Sequence, residues 1–528
     1  MEIIILKHIS YLKGKKKIIY YSKIVGGEVK THKNLDFFKE EEIYNIISFD
    51  FLNIIDAIEI NERSLFTDIE QLKKQIIGHS KNEFSKNDQP WDFWYLLKQL
   101  HKNADNEEMI KKLEKAKKIY FGFNDGSSDS EIKDIFGFLL SSIEDILKLI
   151  YEELKERNEI FRHETVEKKI SSILLERTKK GIKIDTLLIT SLIRKVNIEF
   201  YEVKNRLQLE YGIFSRTDFE NIKKEVGKIL PALVNTIGTN EYIRNLKFYK
   251  DDFDLIKLLY EERKLSINKT ILTRIGSLDD KKIFPQFQSF GTVTSRILVE
   301  YPSLQQLKRD YRNIILPEDG MELLYIDYCQ FEAGILASEA NDLKLIEMYN
   351  MEDIYSQMNE VLKNVPNISR DKCKKLFFSY CYGMSKENIK KVTNIDLDIF
   401  FNKFPELEKF NIKLKKKFRI DGFVETTQGN KRYKSFDNKN NEEESWLISQ
   451  RIQGNASLIL KKAIIEVYNL DKEIEFLIPM HDAVLYQIPI GKRIEKSKFL
   501  ETHFKKAFKE ICPKIEPAVE FKPFYDPK

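Results

Sequence analysis

Two aspartates each interrupt an otherwise apolar, strand-like run: Asp327 in LLYIDYCQF and Asp482 in LIPMHDAVLYQIP. Burying a carboxylate without partners costs on the order of several kcal/mol, so both positions call for a compensating cation or a hydrogen-bond network. A shared pair of divalent metals is one answer.

A second group of residues is spaced for chemistry. In SRDKCKKLFFSYCYGMS, Arg370, Lys374, Phe378 and Tyr382 recur every four residues and are followed by Gly383. On a helix they form one slowly winding stripe about 18 Å long. Its cationic end suits a triphosphate, and its aromatic end suits a sugar and a base. An amphipathic helix whose basic residues merely snorkel gives the same pattern, and the stripe alone does not choose. There is no Walker-type glycine loop. HETVEKK (His163 to Lys169) begins like a zinc-protease motif but lacks the second histidine, and reads as plain helix.

Several elements must position these groups. MELLYIDYCQF, IFPQFQSF and the run from Phe476 to Pro489 have β character, with long helical stretches between them. Strands that share a sheet across more than a hundred intervening residues imply an α+β domain with a large helical insertion. From about 146 to 275 the chain reads as an extended helical arm, in DILKLIYEELKERNEIF, TVEKKISSILLERTKKG and TLLITSLIRKVNIEFYEVKNRL, with Gly181 as a helix stop. GFVETTQGNKRYKSF reads as a β-hairpin about its Gly-Asn pair, and FDNKNNEEE as a polar loop. Residues 1 to about 145 read as a separate α/β module, and no internal repeat is visible.

Bulk properties narrow the class. At 528 residues and 42% hydrophobic composition, two or more domains are expected. No apolar run reaches the roughly 20 residues that span a bilayer, and MEIIILKHISYLKGKKK reads as an opening strand, not a signal peptide. Cys329, Cys373, Cys381 and Cys512 show no CxxC spacing, which fits a reducing compartment, with the cytoplasm as the expectation. The net charge of +5 is small. Lysine runs at 13 to 17, 111 to 118 and 413 to 419 are local patches for a phosphate backbone, or equally solvated helix faces.

In order along the chain, TSRILVEYPSLQQLKR (Thr294 to Arg309), IDYCQFE (Ile326 to Glu332), the Arg370 to Gly383 stripe, QGNAS (Gln453 to Ser457) and MHDAV resemble the motifs of family A DNA polymerases, the bacterial polymerase I group. The resemblance begins near LERTKKGIKID and covers roughly residues 150 to 528. It implies a right-hand fold with an antiparallel palm sheet and helical fingers and thumb. The implied divisions are an exonuclease-like α/β domain at 1–145, the thumb at 146–284, the palm at 285–345 and 445–528, and the fingers at 346–444.

The implied activity is template-directed addition of dNTPs to a primer 3′-hydroxyl. Two Mg²⁺ ions, with Mn²⁺ as substitute, would be held by Asp327 and Asp482 with the carbonyl of Tyr328. Arg370 and Lys374 would grip the triphosphate, with Lys374 as general acid. Phe378 and Gln330 would line the nucleotide site, and Tyr382 would guard the template position. Glu332, held by Tyr382, matches the family's gate against a ribose 2′-hydroxyl. Arg296, Gln305, Gln306 and Gln453 would contact the primer–template minor groove, where acceptors common to all pairs allow geometry to be checked without reading sequence. His481 would lie near the primer terminus. The expected partners are primer–template DNA and dNTPs, with room for a replication accessory protein; a monomer off the membrane is expected.

This chain departs from the family pattern at Ala483, which replaces a glutamate, at Tyr355 in place of a histidine, at Ala333 and Gly334 in place of Leu-Arg, and at Ser449 in place of an asparagine. None removes an expected metal ligand. Proofreading would need an Asp-x-Glu, but IISFDFLN offers Asp50 followed by Leu52, so residues 1–145 read as a degenerate exonuclease fold or a partner-binding domain. A degenerate exonuclease region with no 5′-nuclease domain ahead of it would suit a phage, plasmid or other mobile element, and the Lys/Ile/Asn bias points to an AT-rich genome. Two rival readings are an RNA polymerase or reverse transcriptase on the same scaffold, and a catalytically weak replisome scaffold. Glu332 argues against the RNA polymerase. The two aspartates with Arg370 and Lys374 argue against the scaffold.

Overall fold

The computed structural model describes residues 2–12, 15–35, 45–58, 64–85, 89–102, 107–123, 126–278, 280–435 and 446–525. The FDNKNNEEE segment and Lys13 lie outside them.

The N-terminal module is built on a five-stranded mixed sheet of β1 (Glu2–Leu12), β2 (Lys15–Ile24), β3 (Val29–His32), β4 (Asn45–Ser48) and β5 (Leu65–Asp68), in the order β3-β2-β1-β4-β5. The first three strands run antiparallel, while β4 lies parallel to β1 and β5. Helix α1 (Ile69–Ile77) starts at Asp68, whose carboxylate caps Glu70 N at 2.9 Å and Gln71 N at 3.1 Å. Helix α2 (Asp129–Glu156) opens on a Ser128/Glu131 capping box and buries Phe136, Leu139, Leu140, Ile143 and Leu154 against Ile4, Leu6 and Tyr21. The expected boundary at 145 therefore falls inside one continuous helix that belongs to this module. Asp50 lies beyond the end of β4, caps the short helix Phe51–Ile54 and accepts the Tyr120 hydroxyl at 2.9 Å.

HETVEKK departs from the plain helix expected. Residues His163–Glu167 form a π-helical turn between Ile160–Arg162 and helix α3 (Lys168–Lys180). The wider turn brings residues five apart onto one face, and Arg162 Nε meets Glu167 Oε1 at 2.9 Å. Gly181 ends α3 as expected. Helices α4 (Thr186–Tyr211) and α5 (Asp254–Gly276) form the long arm, with Ile189, Leu192 and Val196 sharing a core with Leu265, Leu272 and Ile275.

The second sheet has four antiparallel strands, β6 (Met321–Tyr328), β7 (Glu475–Met480), β8 (Ala483–Pro489) and β9 (Val519–Lys522), in the order β7-β8-β6-β9. As the sequence implied, distant strands meet across a long helical insertion. The period-two pattern assigns the faces. Leu324, Ile326 and Tyr328, with Val484 and Tyr486, join a core containing residues of α6 (Phe331–Ala340), α7 (Ile354–Val361), α8 (Arg370–Cys381), α9 (Leu447–Leu470) and α10 (Arg493–Ile511). Leu323 and Tyr325 pack on the opposite side, against the core at the base of the arm. Asp327 continues their alternation.

The expected hairpin forms over Phe423–Thr426 and Gly429–Tyr433, but Thr427 and Gln428 make the turn, and Gly429 and Asn430 open the second strand with φ of 90° and 62°. It is held on two sides. Tyr433 N donates to Gly78 O at 2.8 Å, Arg157 lies 4.9 Å from the Tyr433 ring centroid, and Lys431 N donates to Glu159 Oε1 at 3.2 Å. On the other side Thr427 N donates to Asn455 Oδ1 at 2.9 Å, and any side chain at Gly454 would collide with the Thr426 methyl.

Candidate active site

Asp327 stands next to last on β6, opposite Ala483 on β8 and Glu520 on β9. Asp482 is not inside a strand, as its apolar surroundings suggested. It lies with His481 in the tight turn joining β7 to β8, and His481 takes the left-handed conformation (φ 61°) that the turn requires. Asp482 O accepts Tyr328 N at 3.3 Å, which ties the turn to the end of β6.

Asp327 senses the charge of Asp482. Burial raises the pKa of Asp327, the charge of Asp482 and Glu520 adds to that, and Lys522 opposes it with Nζ 3.1 Å from Asp327 Oδ2. Burial also raises Asp482, against the attraction of Arg296 and Lys374. The fit to hard divalent cations is good: two oxygen ligands on adjacent strand ends, each penalised when ionised without a partner. Among the described residues no group of three or more His, Cys, Asp or Glu forms a cage. Mg²⁺ needs none when one or two carboxylates share it with substrate phosphates.

Helix α8 forms the facing wall. Ser369 caps its start by accepting Lys372 N at 3.2 Å. Arg370 and Lys374 lie over the Tyr355 ring at 5.5 and 5.8 Å, and Phe378 stacks on Tyr382 with centroids 5.7 Å apart. Tyr382 ends the helix, ahead of Gly383 at φ 91°. Beside it Glu332 is buried on α6, its Oε1 accepting Arg296 NH2 at 2.6 Å. Burial pushes Glu332 up to about 7, with Arg296 and Tyr382 opposing the shift. His481 is drawn down to about 4 by burial of its ring within the cleft and by Arg296, Lys247, Arg312 and Lys264.

The remaining expected residues divide. Gln330 begins α6 in a left-handed conformation and accepts Ile354 N at 2.8 Å, bridging to α7 beside Tyr355. Gln306 is exposed and Gln453 half-buried. Gln305, expected at a DNA face, is tied to the backbone: its amide donates to Ile297 O and Pro479 O at 3.1 and 3.0 Å and accepts Val299 N at 3.0 Å. Three of its four bonding positions serve the backbone. Arg296, expected at the minor groove, is joined to the buried Glu332. Sequence reasoning missed Lys522, although the alternation in VEFK was a signal. It also missed Asp353, which holds Arg370 and whose only sequence signal is its place before a helical run.

A family model described as DNA polymerase family A matches residues 172–521. The chain belongs to this family. Similar curated family A relatives include DNA polymerase I of Caldicellulosiruptor bescii, 25% identical over 400 residues that cover 66% of this chain and 46% of that protein. DNA polymerase I of Borreliella burgdorferi is 25% identical over 451 residues, 78% of this chain and 48% of that one. The chain thus spans about half the length of the curated relatives it matches. The fold of the POL domain of Pol1 from M. smegmatis, in complex with DNA primer-template and dNTP, superposes with a TM-score of 0.69 at 16% identity. It covers 98% of this chain and 95% of that one, so the shared α+β polymerase fold extends over the N-terminal module.

Proposed function

We propose that this chain is a template-directed DNA polymerase that extends a primer 3′-hydroxyl with deoxynucleotides. The observation that carries the reading is the cleft itself: Asp327 and Asp482 on the sheet face the Arg370 to Tyr382 stripe, close enough for the Lys374 charge to stabilise ionised Asp482. The M. smegmatis relative, by its description, was captured with primer-template and dNTP. The arm 157–284 would be the thumb, 285–345 with 445–528 the palm, and 346–444 the fingers.

Arg370 and Lys374 would hold the triphosphate at the cationic end of α8, while Phe378 and Tyr382 pack on the sugar and the templating side. Glu332 would exclude a ribose 2′-hydroxyl. Asp327 and Asp482, with the Tyr328 carbonyl, would hold two Mg²⁺ ions. The chemistry such ions would supply is activation of the 3′-hydroxyl and stabilisation of the pyrophosphate leaving group. In the step, the primer 3′-oxygen would give its proton to water and form the new bond to the α-phosphorus as the bond to pyrophosphate breaks, with Lys374 donating a proton to that leaving group. A monomer acting in the cytoplasm fits the reading; no helix among the described residues is long and apolar enough to cross a membrane.

Primer extension on defined DNA and RNA templates, with dNTPs and rNTPs in separate reactions and a labelled 3′ end, tests this. Mg²⁺-dependent extension on DNA with dNTPs is expected, and loss of the 3′ label is not. Absence of any extension would overturn the reading.

A further inference from the structure

Arg162 lies outside the cleft, in the short segment that leaves the N-terminal module, and is completely buried. Each of its guanidinium nitrogens has its own partner: Nε donates to Glu167 Oε1 at 2.9 Å, NH1 to Thr426 Oγ1 at 3.0 Å and NH2 to Ser295 Oγ at 2.6 Å. Ser295 is also fully buried and has φ 57°, the left-handed conformation that disfavours any residue with a Cβ. The restraints on Ser295 are dense. Its N donates to Thr292 O at 2.8 Å, its hydroxyl donates to Ser457 Oγ at 3.1 Å, and Ser457 Oγ donates to Ser295 O at 2.6 Å. The next residue is Arg296, whose guanidinium is bonded to Glu332.

We propose that Arg162 is a positioning residue for the nucleotide site. By holding Ser295 left-handed it fixes the direction in which Arg296 leaves the backbone, and so the placement of Arg296 against Glu332. The segment that leaves the N-terminal module thereby acts on the nucleotide site without touching substrate. The inference rests on the polymerase reading.

Primer extension over a range of dNTP concentrations, with a melting curve for each protein, tests it in wild type, Arg162→Met, Ser295→Ala and the double variant Arg162→Met/Ser295→Gly. Each single variant should raise the dNTP KM about tenfold, equivalent to ~1.4 kcal/mol of lost restraint. The kcat should fall less than about threefold, as for an interaction made before the chemical step. In the double variant glycine takes the positive φ without penalty, and KM should return to within about threefold of wild type. A merely structural Arg162 makes the opposite forecast, because glycine removes a further buried hydroxyl and loosens the chain. Unchanged KM in both single variants, or no recovery in the double variant, overturns the positioning role, while extension by the wild type keeps the polymerase reading. A wild type that extends no primer overturns both. If Arg162→Met fails to fold, Ser295→Ala decides.

Discussion

Arg370 closes a two-point fork on Asp353, with Nε 3.1 Å from Oδ1 and NH2 2.6 Å from Oδ2. The guanidinium proposed to meet a triphosphate is therefore already committed to a carboxylate. Asp353 in turn caps α7 by accepting Ser356 N at 2.7 Å. Although burial works the other way, the bonds from Arg370 and Ser356 hold its carboxyl below the usual range. Under the proposed function, an incoming nucleotide would have to compete for Arg370.

Asp353→Asn keeps the cap and removes the competing charge. The pair is partly exposed, so the gain is modest: the dNTP KM should fall by up to about fivefold at low ionic strength, and the difference should shrink as salt rises. Steady-state extension at two salt concentrations checks this. An unchanged or higher KM would show that Asp353 positions Arg370 and does not compete for it.

Asp327→Asn and Asp482→Asn should each lower Mg²⁺-dependent primer extension by at least about 10³-fold, ~4 kcal/mol of transition-state stabilisation. DNA binding, measured by a mobility shift, should change little, because neither carboxylate favours a phosphate backbone. Robust extension by either variant would sink the two-metal assignment.

Tyr355 is buried beneath Arg370 and Lys374, and its hydroxyl has no hydrogen-bond partner among the described residues. Tyr355→Phe keeps the ring under both cations and removes the unsatisfied group. It should stabilise the protein by about 1 kcal/mol in urea unfolding and leave the dNTP KM unaltered. A loss of stability would reveal a partner for the hydroxyl.

His163 is buried, with Nδ1 3.1 Å from Gln75 Oε1, and burial draws its pKa from 6.5 down to about 4. Below pH 6.5 the unfolded chain takes up a proton that the folded chain refuses, so stability falls as the pH drops toward 4. At pH 5 this one group should cost about 2 kcal/mol relative to pH 7.5. His163→Gln should flatten that part of the unfolding profile; an unchanged slope would assign the acid sensitivity elsewhere.

What the sequence disclosed depended on the range of the interaction. The α8 stripe was legible because four-residue spacing is a local property, and β6 because its apolar alternation survives around Asp327. Asp482 was misplaced because the residues on both sides of His481 are equally apolar; only the positive φ of a single residue turns one apparent strand into two. The boundary at 145 failed for a related reason: the helical period of α2 is the same whether it packs on the arm or on the N-terminal sheet. Lys522 and Asp353 could not be paired with Asp327 and Arg370 from spacing, since 195 and 17 residues separate the partners and folding alone brings them together.

The hairpin 423–433 rests between Gly78, Arg157 and Glu159 on one flank and Gly454 and Asn455 on the other. It works like the middle stone of an arch. Cutting away the first 156 residues would take Gly78 from Tyr433 and leave Arg157 and Glu159 on a chain end cut loose from its helix, and the slack would be passed through the hairpin to α9. The N-terminal module can thus be indispensable through the hairpin alone.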